Sequence, residues 1–276
     1  MPARTQPPAD AIRAEAGIVE NRALGGANRL LRLRVPGWLG ARPGQFLMLS
    51  PGAVTGVRRD DPLLPRPMAV YREPRDEGPE RVDVLYKVEG RGTSLLAAAR
   101  AGEVVRVLGP LGRPFPLPDT GSRVLVVGGG TGIASLYGLA AASSRAARVT
   151  VVLGARSVRD LMAREDFAAL GLDLVVATED GSEGEQGLAT APLARALEKG
   201  DVSRVYACGP TPMMRRCAEL ALSHDVPCTV SLENNMACGY GVCLGCAAPR
   251  PSGGYALVCR DGPVFDATEI AWDGLP

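Results

Sequence analysis

The chain has 276 residues, more than one domain of roughly 100–200 residues holds, with room for two or three. Apolar residues make up 46% of it and charged residues 22%, enough for a sizeable core, while 31 Lys and Arg against 30 Asp and Glu leave a net charge of +1. That balance excludes the basic footprint of a nucleic-acid binder or of a protein held on an anionic membrane. A single histidine, His224, excludes chemistry built on histidine pairs or a histidine metal cage.

Residues 1–10 are rich in Pro and Ala and lack an apolar core segment, so they do not read as a secretory leader. The stretch that follows reads as short strands over 29–35, 45–50, 81–88 and 103–108, punctuated by Pro36-Gly37, Pro43-Gly44 and Pro51-Gly52. Between Val82 and Val88 apolar and polar residues nearly alternate, which predicts a half-buried strand. Thr93 is placed to cap a short helix over 93–100, with Gly102 beyond its end. The charged stretch 72–81, with Pro74 and Pro79, predicts a solvated loop. Many short strands and one small helix predict an antiparallel β-barrel over residues 1–120.

The pattern changes near Arg123. Residues 124–144 are uncharged and long enough to span a membrane, but their five glycines read as strand, turn and helix instead, so no membrane span is expected. The apolar run 124–127 suits a strand buried on both faces of a parallel sheet. A helix over 133–143 follows, then strand 148–153, helix 158–170, strand 172–177, helix 190–198, strand 204–207 and helix 211–223. This βαβ series predicts a Rossmann-like, doubly wound parallel sheet over 121–228. After Pro227 the composition turns to glycine, cysteine and short turns, so 229–276 reads as a small third domain. The expected fold class is multidomain, β plus α/β.

Seven cysteines is an odd number, and four of them crowd into the tail. That pattern argues for metal in a reducing, cytoplasmic compartment rather than for disulfides. Cys238-Gly-Tyr-Gly-Val-Cys243-Leu-Gly-Cys246, with Cys259 further on, is C-x4-C-x2-C…C, the ligand spacing of plant-type [2Fe–2S] clusters. Four thiolates must converge on two irons, and Gly239, Gly241 and Gly245 are expected to supply the positive φ that a tight ligand loop needs. The fourth ligand is expected on a strand over 255–259. Structural zinc and buried free thiols remain open alternatives. Cys217 and Cys228 read as packing residues.

Two further segments carry phosphate-binding character. Gly128, Gly129, Gly130, Thr131 and Gly132 follow the first buried strand and open a helix, and Cys208, Gly209 and Pro210 do the same after a later one. Such turns let a pyrophosphate approach the backbone at a positive helix end, although glycine there also serves turn geometry alone. In the barrel region, Arg66-Pro67-Met68-Ala69 could present a guanidinium at a strand start, and Gly90-Arg91-Gly92-Thr93 opens the short helix. A strand-edge proline and an ordinary helix cap would look the same.

Barrel, Rossmann-like domain and cysteine tail in this order resemble the ferredoxin–NAD(P)+ reductase superfamily. Within it, the chain is most similar to the electron-transfer subunits of dihydroorotate dehydrogenase B, over residues 12–270. The resemblance implies FAD held by Arg66, Pro67, Met68, Ala69, Leu85, Tyr86, Lys87, Gly92 and Thr93. It implies NAD at Gly128–Gly132 and Cys208–Pro210, and a [2Fe–2S] cluster on Cys238, Cys243, Cys246 and Cys259. Ala69 stands where the family usually has a hydroxyl residue against the flavin. Asp180 and the acidic 179–185 stretch favour NAD over NADP, although Arg156 could meet a 2′-phosphate. The implied partner is an FMN-containing dihydroorotate dehydrogenase catalytic subunit, in a heterotetramer of two of each, and no catalytic acid–base residue is expected here. The alternative is the small subunit of an NAD(P)H-dependent ferredoxin or sulfide oxidoreductase.

Overall fold

The computed structural model describes residues 10–51 and 64–275; the expectations for residues 1–9 and for the turn at Gly52 lie outside them. The barrel is built from β1 (Ile12–Gly25), β2 (Asn28–Arg34), β3 (Phe46–Ser50), β4 (Arg66–Ala69), β5 (Arg81–Lys87) and β6 (Val104–Leu111), with α1 (Arg91–Ala98) between the last two. The six strands run in the order β4-β3-β6-β1-β2-β5, each pair antiparallel. Beyond β4, Arg72 bridges to Asp83 of β5 and nearly closes the ring. Leu31, Leu33, Leu47, Leu49, Val82 and Val84 fill its interior.

β1 has no counterpart in the expected strands. Its run of Ala, Glu and Arg has weak strand propensity, and pairing with β2 on one side and β6 on the other imposes the extended form. β5 is not half-buried as its alternation predicts: Val82 through Tyr86 are all buried, because one face meets the barrel core and the other meets the second half of the molecule. Thr93 does not occupy the N-cap of α1. Gly90 does, and the Thr93 hydroxyl, three residues into the helix, accepts from the Glu89 and Gly90 N–H groups at 3.0 and 3.1 Å.

The second half is a seven-stranded sheet, in the order β10-β9-β8-β7-β11-β12-β15, where β15 is the tail strand Val264–Asp266. Its chain order is β7 (Arg123–Gly129), α2 (Ile133–Ser143), β8 (Arg148–Ala155), α3 (Arg164–Ala168), β9 (Asp173–Thr178), β10 (Glu185–Gln186), α4 (Thr190–Leu197), β11 (Arg204–Cys208), α5 (Thr211–Ser223) and β12 (Cys228–Ser231). The strands run parallel up to β12. Val124 to Val127 are buried on both faces; each fully buried side chain of this size contributes about 1.5–3 kcal/mol. α5 turns Met214, Cys217, Ala218 and Ala221 inward at helical spacing, so Cys217 packs as expected, as does Cys228 in β12.

The helix expected over 158–170 contracts to the five residues of α3. Ala163 takes a left-handed φ of 60°, and the loop before it docks on the barrel, where Asn28 Nδ2 donates to Asp160 O at 3.2 Å. Met162 is buried there among Leu30, Tyr71 and Leu85. Tertiary contact wins over local helical periodicity in this segment.

The tail adds β13 (Ala247–Pro249), β14 (Tyr255–Leu257), α6 (Val258–Asp261) and β15 (Val264–Asp266). β13 and β14 form a small hairpin-like pair, and β15 joins the large sheet antiparallel to β12. Ala248, Ala256, Val258 and Cys259 share one core with Phe46 and Met48 of the barrel and with Val205 and Val230 of the sheet. The tail is thus wedged into both other parts. No helix among the described residues is long and apolar enough to cross a membrane.

Candidate functional site

Two cavities open between the barrel and the carboxyl ends of the parallel strands. The first, about 430 Å³, has Arg66, Pro67, Met68 and Ala69 of β4 and Leu85, Tyr86 and Lys87 of β5 along its barrel wall, with Thr93 at one end. Tyr86 lies in the barrel core behind this wall, held there by its hydroxyl, which donates to Asn21 Oδ1 at 3.0 Å. Gly92 lies beneath this wall rather than in it. A Cβ added there would come 2.8 Å from Arg66 Nε, so glycine lets the guanidinium rest on the N-terminus of α1. A guanidinium and a positive helix end then converge, a cradle that suits a diphosphate. The opposite wall comes from residues outside the expected set: Ser135 of α2, and the stretch from Ser231, the last residue of β12, to Met236. Ser135 and Ser231 supply hydroxyls on a surface where Ala69 has none.

The second cavity, about 580 Å³, is lined by Gly129, Gly130 and Thr131 of the turn after β7 and by Gly209 and Pro210 after β11. Gly130 has a φ of 55°, with open space where a side chain would be. Gly132 brings the two turns together: a Cβ there would sit 2.5 Å from the backbone of Cys208 and Gly209. Gly128, Gly132 and Cys208 therefore shape the rim from behind and do not face the cavity. Cys208 is fully buried, its thiol donates to Ser231 O at 3.3 Å, and burial pushes it up to about 12. At the far end lie Arg156 and Glu179; Asp180 instead turns its carboxylate to Ser182, accepting from its hydroxyl at 2.6 Å.

The chain that walls the first cavity runs on directly into the cysteine loop. Gly239 and Gly241 have φ of 83° and 87°, but Gly245 does not take positive φ; Leu244 does, at 61°. Gly239 also lies so close to the barrel that a Cβ would meet Met48 at 2.5 Å. Cys259 stands on α6, just past β14, and not on a strand. Its Sγ is 3.2 Å from that of Cys246, and its N–H donates to Cys246 Sγ at 3.4 Å. That bonding brings the Cys246 thiol down to about 6 and pushes Cys259 up, both through their mutual contact. Burial opposes ionisation of Cys238, yet the N–H groups of Cys243, Tyr240 and Val242 outweigh it and bring the thiol down to about 7.

Cys238 Sγ accepts from the Val242 N–H at 3.3 Å within the same loop. Cys246 and Cys259 form one close thiol pair, and Cys238 and Cys243 stand on the loop that leads into Cys246. Among the described residues no three metal-ligating side chains close around a single ion position. An all-cysteine donor set with the C-x4-C-x2-C…C spacing fits a two-iron cluster, which takes two thiolates per iron.

Barrel, nucleotide-type turn and thiol loop around a shared crevice define a flavin- and iron–sulfur-containing oxidoreductase with an NAD-binding domain. The description of an oxidoreductase NAD-binding domain matches residues 126–219, and that of the iron–sulfur cluster binding domain of dihydroorotate dehydrogenase B matches residues 233–271. The chain is 41% identical over 238 residues to the dihydroorotate dehydrogenase B (NAD+) electron transfer subunit of Caldanaerobacter subterraneus subsp. tengcongensis, covering 84% of this chain and 89% of the relative. It is 43% identical over 235 residues to that of Bacillus caldolyticus, covering 83% and 86%. A solved NADH-dependent reduced ferredoxin-NADP oxidoreductase superposes with a TM-score of 0.82 at 31% identity, covering 94% of this chain and 91% of that one. The chain belongs to the family of dihydroorotate dehydrogenase B electron transfer subunits. Its cofactors are FAD, a [2Fe–2S] cluster and NAD.

Proposed function

We propose that the chain carries electrons between a dihydroorotate-oxidising partner and NAD, with FAD in the first cavity, NAD in the second and the cluster on Cys238, Cys243, Cys246 and Cys259. One observation carries this reading: the stretch from Ser231 to Met236 walls the first cavity and Cys238 follows two residues later, so the thiol loop is anchored on the flavin side. When bound, FAD supplies exchange between one-electron and two-electron chemistry. Arg66 and the N-terminus of α1 hold its diphosphate, and Tyr86 fixes one wall. Gly129, Gly130 and Thr131 let the dinucleotide approach the backbone. Nothing in the site moves a proton by histidine, and hydride transfer to a nicotinamide asks only for alignment.

The partner is proposed as an FMN-containing catalytic subunit, two of each chain assembling in the cytoplasm. Cys243 is exposed in the cluster loop, flanked by Val242 and Leu244, which are 46% and 63% exposed. Those apolar tips around a ligand suit a docking face. Domain limits at 1–120, 121–228 and 229–276 are proposed as the functional division, with β15 of the last closing the sheet of the second.

The ferredoxin-linked likeness supports a second reading, in which ferredoxin stands in place of the catalytic subunit. The identities of 41–43% to dihydroorotate dehydrogenase subunits favour the first. Purified under anaerobic conditions, the chain alone should oxidise NADH with artificial acceptors and should not oxidise dihydroorotate. Adding the catalytic subunit should create dihydroorotate:NAD+ activity. Activity with reduced ferredoxin, and none with the catalytic subunit, would establish the second reading instead.

A further inference from the structure

The two cavities share four lining residues: Lys87 and Glu89 on the barrel side, Thr131 and Glu233 on the other. Hydride transfer needs donor and acceptor atoms about 3–3.5 Å apart. If flavin and dinucleotide occupy the two cavities, as proposed above, their reacting rings meet at this common wall. The charges on the wall are not equivalent. Lys87 Nζ pairs with Glu89 at 3.2 Å, so the barrel side is balanced. Glu233 carries no ion pair among the described residues, and its nearest polar partner is the Thr131 hydroxyl, which donates at 3.5 Å.

Glu233 is solvent-exposed on the wall where the two cavities meet. The protein packed around its carboxyl pushes it above the usual carboxylate range, Thr131 pulls it back, and the charge of Glu89 pushes it further up. A lone carboxylate there carries a field that strengthens when ligands filling the two cavities displace the water around it. The nicotinamide ring bears a positive charge when oxidised and none when reduced, and the rest of the dinucleotide is the same in both.

We propose that Glu233 discriminates the oxidised from the reduced nicotinamide, holding the cationic ring at the junction and giving no such hold to the neutral one. This does not make Glu233 a proton donor or acceptor. It biases which form of the dinucleotide resides beside the flavin, and so helps the oxidised form in and the neutral product out.

The test is equilibrium binding to the oxidised, FAD- and cluster-loaded protein, with three ligands that do not react with it: NAD+, 1,4,5,6-tetrahydro-NAD with its uncharged ring, and ADP-ribose with no ring. Glu233→Gln should weaken NAD+ about tenfold, equivalent to about 1.4 kcal/mol, and leave the other two within about twofold. Glu233→Asp, which keeps the charge, should retain most of the preference. Flavin absorbance and iron content equal to the unsubstituted protein verify that the variants are folded. Equal losses for all three ligands, or unchanged NAD+ binding, would overturn the proposal while leaving the cavity assignment intact. Failure of the unsubstituted protein to bind any of the three would overturn the cavity assignment and this inference with it.

Discussion

Arg72 of the barrel reaches across to Asp166 of α3, its Nη1 2.7 Å from the carboxylate. The same guanidinium places its Nε 2.7 Å from Asp83 of β5, and the Tyr71 hydroxyl donates to Asp166 at 2.5 Å. Asp83 is fully buried and also receives Arg32 Nε at 2.8 Å. The stretch 72–81 is therefore not a free solvated loop: its first residue locks the two halves of the molecule together, close to the loop that lines the second cavity. Its Glu73 is likewise engaged, accepting from Trp38 Nε1 at 2.5 Å.

Removing either carboxylate should cost stability in a definite order. Asp83→Ala strips the common partner from two half-buried guanidinium groups, and losing one side of a buried pair costs about 3–5 kcal/mol. Asp166 is 37% exposed and Arg72 keeps Asp83 when it is gone, but the buried Tyr71 hydroxyl loses its acceptor, so Asp166→Ala should cost about 1–3 kcal/mol, less than Asp83→Ala. Denaturant titration of the two variants checks the ranking, and an Asp166 variant as damaged as the Asp83 variant would contradict it.

The cluster assignment is checked by metal content. Anaerobically purified protein should carry about two irons per chain and, once reduced, a rhombic paramagnetic signal. Cys259→Ser should lower the iron content sharply, whereas Cys217→Ser should leave it unchanged, since Cys217 is buried in the α5 core away from the loop. One tightly held zinc and no iron would return the site to the structural-metal alternative.

Flavin retention should depend on Arg66. Losing a charge-assisted phosphate contact costs about 1.5–3 kcal/mol, roughly ten- to a hundredfold in affinity. Arg66→Ala should release FAD on dilution, measured by the fluorescence of the free flavin, while Arg145→Ala, at an exposed position after α2, should retain it. Equal retention would place the diphosphate elsewhere.

NAD+ affinity should fall as the solution is acidified. Glu233 is charged above its folded pKa and neutral below it, and the protein packed around it first, then Glu89, raise that pKa while Thr131 lowers it. The groups facing it are the Lys87–Glu89 pair from the barrel, Thr131 from the turn after β7, and the neutral Cys208 thiol from β11. The hold on the cationic ring is present at higher pH and is lost as pH falls through a point above the ordinary carboxylate range. A titration of NAD+ binding from about pH 8 to about pH 5 should show that loss, and Glu233→Gln should flatten it. Tetrahydro-NAD should show no such dependence in either protein.

Local chemistry was enough to read the parallel-sheet half, because apolar runs such as Val124 to Val127 and glycine turns bounded by helical periodicity are specified within short windows. The thiol spacing likewise announced the cluster loop, and the segment around Arg66 named one wall of the first cavity. The other wall was not legible. Ser135, Ser231 and Glu233 carry no local signature of a binding surface; they become one only because the ends of β7, β11 and β12 converge against the barrel. The same holds for β1, whose Ala, Glu and Arg are extended only by partners on both sides, and for residues 158–163, whose helical pattern yields to docking against Asn28. Composition and spacing determined which chemistry the protein carries. Only the packing of barrel, sheet and tail decided where its reactants meet, because a cavity shared by distant segments is a property of their contact and of no segment alone.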